Sequence, residues 1–68
     1  MKIYTVMQAA KILGISEGTV KKYIYTKDIR AMQLGMKLMI EEEDLTDFWV
    51  KNKKRILSRR KRETIQMR

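Results

Sequence analysis

Apolar residues recur at Val6, Ala9, Ala10 and Leu13, the spacing that lines one face of a helix. Thr5 precedes this run and Gln8 follows three positions later, the capping-box arrangement that satisfies orphan amides at a helix start. Gly14 closes the pattern, so a first helix of about two turns is expected. Ile15 and Ser16 open the next segment, with Ser16 as its N-cap. Val20 and Ile24, four apart, form the inward edge of a second helix and leave Glu17, Gly18, Lys21, Lys22 and Tyr25 largely outward. Two short helices joined by a tight glycine-containing turn predict a helix-turn-helix.

From Ile29 the period changes to two. Ile29, Ala31 and Gln33 alternate with Met32 and Leu34 as far as Gly35, after which Met36, Leu38 and Ile40 alternate with Lys37 and Met39. Alternation broken by glycine predicts a β-hairpin, although the turn lacks the Asn-Gly signature that would set its register. The acidic run Glu41 to Asp44 then favours a third helix, because carboxylates complement the positive end of a helix dipole. Leu45, Phe48 and Trp49 form its core face, which continues through Asn52, Ile56 and Leu57 and would carry the helix past Lys51. Residues 59–68 are expected to fray or to be disordered in isolation.

Charge divides the chain at the same place. Residues 1–50 hold seven basic groups (Lys2, Lys11, Lys21, Lys22, Lys27, Arg30, Lys37) and seven acidic ones (Glu17, Asp28, Glu41, Glu42, Glu43, Asp44, Asp47). Residues 51–68 hold nine basic groups against Glu63 alone, so the net charge of +8 lies entirely in this stretch. The expected organisation is a winged helix-turn-helix over residues 1–50 and a basic C-terminal extension over residues 51–68, helical at first and then disordered. Such an extension attracts polyanions.

With neither cysteine nor histidine, the chain lacks thiolate ligands, disulfides and the commonest metal ligand and proton shuttle. No enzyme, no metal and no cofactor are expected. Consecutive carboxylates on a helix do not converge on one ion, so the acidic run is assigned to the helix start. The six methionines are expected as core filler and Trp49 as a core residue. No apolar run approaches the roughly 18 residues of a membrane span, and a soluble, cytoplasmic protein, nucleoid-associated when bound to DNA, is expected.

The order helix, turn, helix, hairpin, helix gives an α+β, mostly α fold: a minimal winged helix-turn-helix. The segments "YTVMQAAKILGISEGTVKKYI", "IRAMQLGMKLMI" and "EEEDLTDFW" resemble the excisionase family of small DNA-binding domains within the MerR-like winged-helix group. The resemblance spans roughly residues 3–49 and rests on Thr5 with Ala9 and Ala10, Leu13 to Ser16, Thr19-Val20, Gly35 with Lys37 and Ile40, and Asp44-Leu45 with Phe48. It implies that the helix from Ser16 enters the major groove. Ser16 and Thr19 would bond phosphates or bases, Lys21 and Lys22 would meet backbone or base edges, and Tyr23 or Tyr25 would touch phosphate. Glu17 and Gly18 lie in the same recognition element. Gly35, Met36 and Lys37 would form the wing, with Lys37 approaching an adjacent minor groove. The family often has a basic residue where Gly18 stands, a Ser or Thr cap where Glu41 stands, and basic residues where Met36 and Met39 stand.

The implied function is sequence-specific binding of double-stranded DNA, as a recombination directionality factor or transcriptional regulator of a phage, plasmid or other mobile element. Self-association on DNA or a recombinase partner fits this reading; no small-molecule substrate and no membrane partner do. Lys51, Lys53, Lys54, Arg55, Arg59, Arg60, Lys61 and Arg62 would supply phosphate contacts, which carry most sequence-independent affinity through counterion release. A competing reading is a protein-protein interaction module that dimerises or docks through the C-terminal helix.

Overall fold

The computed structural model describes residues 2–66, with side chains through Arg62. The backbone runs β1 (Ile3–Thr5), α1 (Val6–Leu13), α2 (Glu17–Tyr25), β2 (Met32–Leu34), β3 (Lys37–Glu41) and α3 (Glu42–Gln66). This is a winged helix-turn-helix, mostly helical, as the residue pattern predicts.

Local chemistry explains where each helix starts and stops. Thr5 Oγ1 accepts from the Gln8 amide at 3.1 Å and Gln8 Oε1 accepts from the Thr5 amide at 2.9 Å, completing the capping box. Gly14 ends α1 at φ +72°, where a glycine has no Cβ penalty, and the amides of Gly14 and Ile15 both donate to the Ala10 carbonyl. Ser16 caps α2 by accepting from the Thr19 amide at 3.2 Å. The same kind of stop ends α2 without a glycine: Lys27 takes φ +69°, while the amides of Lys27 and Asp28 donate to the carbonyls of Ile24 and Tyr23.

The sheet has one strand more than the alternating pattern suggests. β1 pairs antiparallel with β3, placing Tyr4 opposite Ile40, and β2 pairs with the other edge of β3. Leu34 faces Lys37, so Gly35 and Met36 form a two-residue loop. Positive φ at Gly35 alone matches a type II′ turn, which needs glycine at its first central position. Ile40, fully buried, and Leu38, partly buried, turn toward the helices as expected. The core is completed by Leu13, Ile15, Val20, Ile29 and Phe48, with Ile24 packed at its margin. The methionines are not core filler: among the described residues no methionine is buried, because branched aliphatics and Phe48 fill the interior. Met7 is half exposed and Met36 is 97% exposed.

α3 begins with Glu42, Glu43 and Asp44 in its first turn. The Glu42 amide donates to the Lys2 carbonyl at 3.0 Å, and the Tyr4 hydroxyl donates to Glu42 Oε2 at 3.0 Å. That hydrogen bond, with smaller effects of desolvation and the Glu42 charge, holds the Tyr4 phenol above its ordinary pKa. The helix then bends. Asn52 has φ −125° and ψ 25°, and its Nδ2 donates to the Phe48 carbonyl at 3.2 Å, serving an acceptor within the interrupted ladder.

Beyond Asn52 the chain stays helical, as the spacing of Ile56 predicts, but Leu57, expected on the same core face, is exposed because it lies one helical step away from the buried stripe. Ile56 is fully buried in the common core, and the Arg60 Nε donates to the Leu13 carbonyl at the end of α1. A cation there complements the negative end of the helix dipole and satisfies a terminal acceptor. The Arg60 guanidinium also lies over the half-buried Trp49 ring at 5.3 Å. Residues expected to fray are helical through Gln66; Met67 and Arg68 lie outside the described residues.

Gly14 serves two demands. Its φ disfavours any L side chain, and a Cβ at this position would fall 2.5 Å from Arg60 Nε. Gly35 has a similar φ with open space around it. Gly14→Ala should therefore lower stability by about 2 kcal/mol or more, and by more than Gly35→Ala, as measured by the urea midpoint. Equal losses would show that Arg60 contributes nothing to the requirement for glycine.

Candidate nucleic-acid interface

The exposed face of α2 follows from its periodicity. At about 100° per residue, Val20 and Tyr23 on the inner side leave Glu17, Gly18, Lys21, Lys22 and Tyr25 outside, and all five are exposed. Gly18 stands at the centre of this face with ordinary helical backbone and only Ser16 Oγ, 4.0 Å away, near the position of a side chain. Tyr25 beside it is 74% exposed.

Lys21 and Lys22 diverge although they are neighbours in sequence. Lys21 lines a shallow groove between α2 and the wing, together with Glu17, Tyr25, Met36, Lys37 and Leu38. Lys22 lines a different groove between α2 and the C-terminal limb of α3, together with Thr26, Arg55, Ser58, Arg59 and Arg62. The exposed face of α2 thus stands between two flanks, an apolar-tipped wing and a cationic helix.

Two expected contact residues sit in the interior instead. Tyr23 is 7% exposed, its ring 5.0 Å from that of Phe48 and capped by the Arg55 guanidinium at 5.1 Å. Thr19 is 5% exposed; its Oγ1 lies 2.8 Å from Ser16 Oγ and accepts from Arg59 Nε at 3.4 Å. Helical spacing explains both, since residues 19 and 23 share the stripe that includes Val20. Ser16, by contrast, is exposed at the mouth of the turn.

The cations past residue 50 divide by face. Lys51, Lys53, Lys54, Lys61 and Arg62 are exposed, whereas Arg59 and Arg60 are partly buried. Arg55 reaches Asp28 at 3.6 Å and donates to Asn52 Oδ1 at 3.0 Å. The pair with Asp28 is partly exposed and contributes at most about 1 kcal/mol, so it orients the arginine more than it stabilises the fold. Thr26 and Ser58 were not singled out by sequence reasoning; the signal was the spacing of Arg55, Ser58, Arg59 and Arg62 along one helical stripe.

Among the described residues, no group of three or more acidic, histidine or cysteine side chains is arranged to hold a metal ion. Nor is any helix long and apolar enough to cross a membrane.

A winged domain with a capped, outward-facing second helix defines a class, the small helix-turn-helix proteins that bind DNA. The chain belongs to the family described as Helix-turn-helix domain, whose model matches residues 3–53. No curated protein and no solved structure matches it. The match stops just after the Asn52 bend, so Ile56, Arg59 and Arg60 lie outside the matched region.

Proposed function

We propose that this protein binds specific double-stranded DNA sites in the manner of an excisionase, shaping DNA for a recombinase or regulating transcription for a mobile element. The observation that supports this reading is the stance of α2, whose exposed face projects between the wing and a cationic limb. α2 enters the major groove, where base edges present a distinct donor and acceptor pattern. Gly18, Lys21 and Tyr25 face the bases, Glu17 and Ser16 lie at the helix entrance, and Lys37 with Gly35 and Met36 approaches the adjacent minor groove. Tyr23 is omitted from this set because its ring belongs to the core. So small a reading surface covers few base pairs, and several copies or a partner complete the specificity.

Selection of bound fragments from a random duplex library tests the proposal. A recurrent motif, with defined spacing between copies, is expected; binding indifferent to duplex sequence in competition would sink specific recognition. Gly18→Arg should raise affinity for all duplexes and narrow the difference between specific and random DNA, since a cation at the centre of the face meets any backbone. Unchanged binding would place Gly18 away from the groove.

One observation favours the competing interaction-module reading: Val50 and Leu57 are exposed apolar residues on α3, 70% and 44% accessible. A tight dimer in light scattering that ignores DNA would support it.

A further inference from the structure

We propose that the groove between α2 and the C-terminal limb of α3 is a built seat for one phosphate group, resting on the DNA-binding reading above and placing a backbone phosphate beside the recognition helix. The groove measures about 280 Å³ and is lined by Lys22, Arg55, Arg59 and Arg62, with Thr26 and Ser58 supplying hydroxyls. Among the described residues, four cations line it with one carboxylate, Asp28.

The body of the protein orients these groups before any ligand arrives. Arg55 is held over the Tyr23 ring and tied to Asp28 and Asn52. Arg59 reaches Thr19 Oγ1, and the Thr26 hydroxyl donates to Asp28 at 2.7 Å. Buried Ile56 and the bond from Arg60 to Leu13 anchor the limb against the helix-turn-helix. Arginine forks suit phosphate oxygens, and orienting them in the free protein lowers the entropy lost on binding. Arg55, Ser58, Arg59 and Arg62 all come from beyond the family match at residue 53, so the seat is an addition to the shared domain. It changes the role of Lys22, which becomes an anchor to the backbone while Lys21 remains on the reading side.

The test uses the full chain and the exposed pair Lys22→Gln and Arg62→Gln, with far-UV circular dichroism confirming an unchanged fold. The salt slope of duplex binding counts phosphates neutralised, at about 0.9 per phosphate. If Lys22 and Arg62 share one phosphate with Arg55 and Arg59, the double variant loses up to about 0.9 in slope and no more, and it loses this on specific and random duplexes alike. A loss of about 1.8, meaning two separate phosphates, overturns the proposal, and so does an unchanged slope in a chain that shows no response to phosphate in the second arm.

In a second arm, inorganic phosphate is titrated into labelled protein and compared with chloride at equal ionic strength. Saturable amide shifts at Thr26 and Ser58 together with the slope change mean that the seat accepts any phosphate group. The slope change without those shifts confines it to phosphate in a duplex backbone. If the wild-type chain fails to bind duplex DNA while the shifts appear, the seat stands and the DNA-binding reading falls. If duplex binding persists with neither slope change nor shifts, the seat falls and that reading stands.

Discussion

Replacing Ile56 by alanine should destabilise the fold by about 3 kcal/mol, and deleting residues 53–68 should leave the rest of the chain largely unfolded. Ile56 is fully buried in the core shared with Leu13 and Phe48, and removing its distal carbons leaves both lost burial and a cavity. A chain of 68 residues has little stability in reserve. For a domain of this size, 3 kcal/mol corresponds to roughly 12–24 °C in midpoint temperature. Thermal unfolding followed at 222 nm reads the effect directly. The deletion also strips the cap from the end of α1 by removing Arg60. A cooperative transition at an unchanged temperature in the shortened chain would show that the limb is dispensable to the fold.

Raising salt from 50 to 200 mM should weaken duplex binding by about a thousandfold, the loss expected for about six neutralised phosphates. The candidates for those contacts are Lys21, Lys22 and Lys37 on the reading elements and the exposed cations of the limb. The first fifty residues carry no net charge, with seven basic groups against seven acidic, so attraction depends on the later segment. A titration of labelled duplex by fluorescence anisotropy at several salt concentrations measures the slope. A nearly flat dependence would exclude backbone contacts as the source of affinity and would point to the interaction module.

The parts of the fold with strong local grammar were legible from the residues. Thr5 with Gln8, Gly14 with the Ala10 carbonyl, and Ser16 with Thr19 each form a cap or stop between residues no more than four apart, where backbone chemistry overrides distant context. β1 was missed because three residues cannot display a period, and Ile3 to Thr5 become a strand only by pairing with β3. The inward Ile56 and the helix past Lys51 follow from the spacing of Leu45, Phe48, Asn52 and Ile56, whereas the destination of residues 59–66 was not legible. Their charge reads as a run, but its meaning depends on faces: Arg60 turns inward, and Arg59 and Arg62 line a groove. In the candidate interface, the exposed residues of α2 followed from helical spacing. The contacts of Thr19 and Tyr23 came from the family resemblance, whereas their helical spacing places them with Val20 on the buried stripe.

The bend at Asn52 sets how the molecule is polarised. An unbroken helix would hold Arg62 about 15 Å beyond Asn52 along a single axis, with the carboxylates of Glu42 to Asp44 at its far end. The molecule would then be an extended dipole, able to orient at long range but with its positive pole mobile and remote from the reading face. The bend at one residue, with Ile56 buried and Arg60 on the Leu13 carbonyl, sets Arg55, Arg59 and Arg62 beside α2 and gathers positive potential there. The Asn52 amide on the Phe48 carbonyl thus sits where the helix carries its cations from the end of a long axis to the flank of α2.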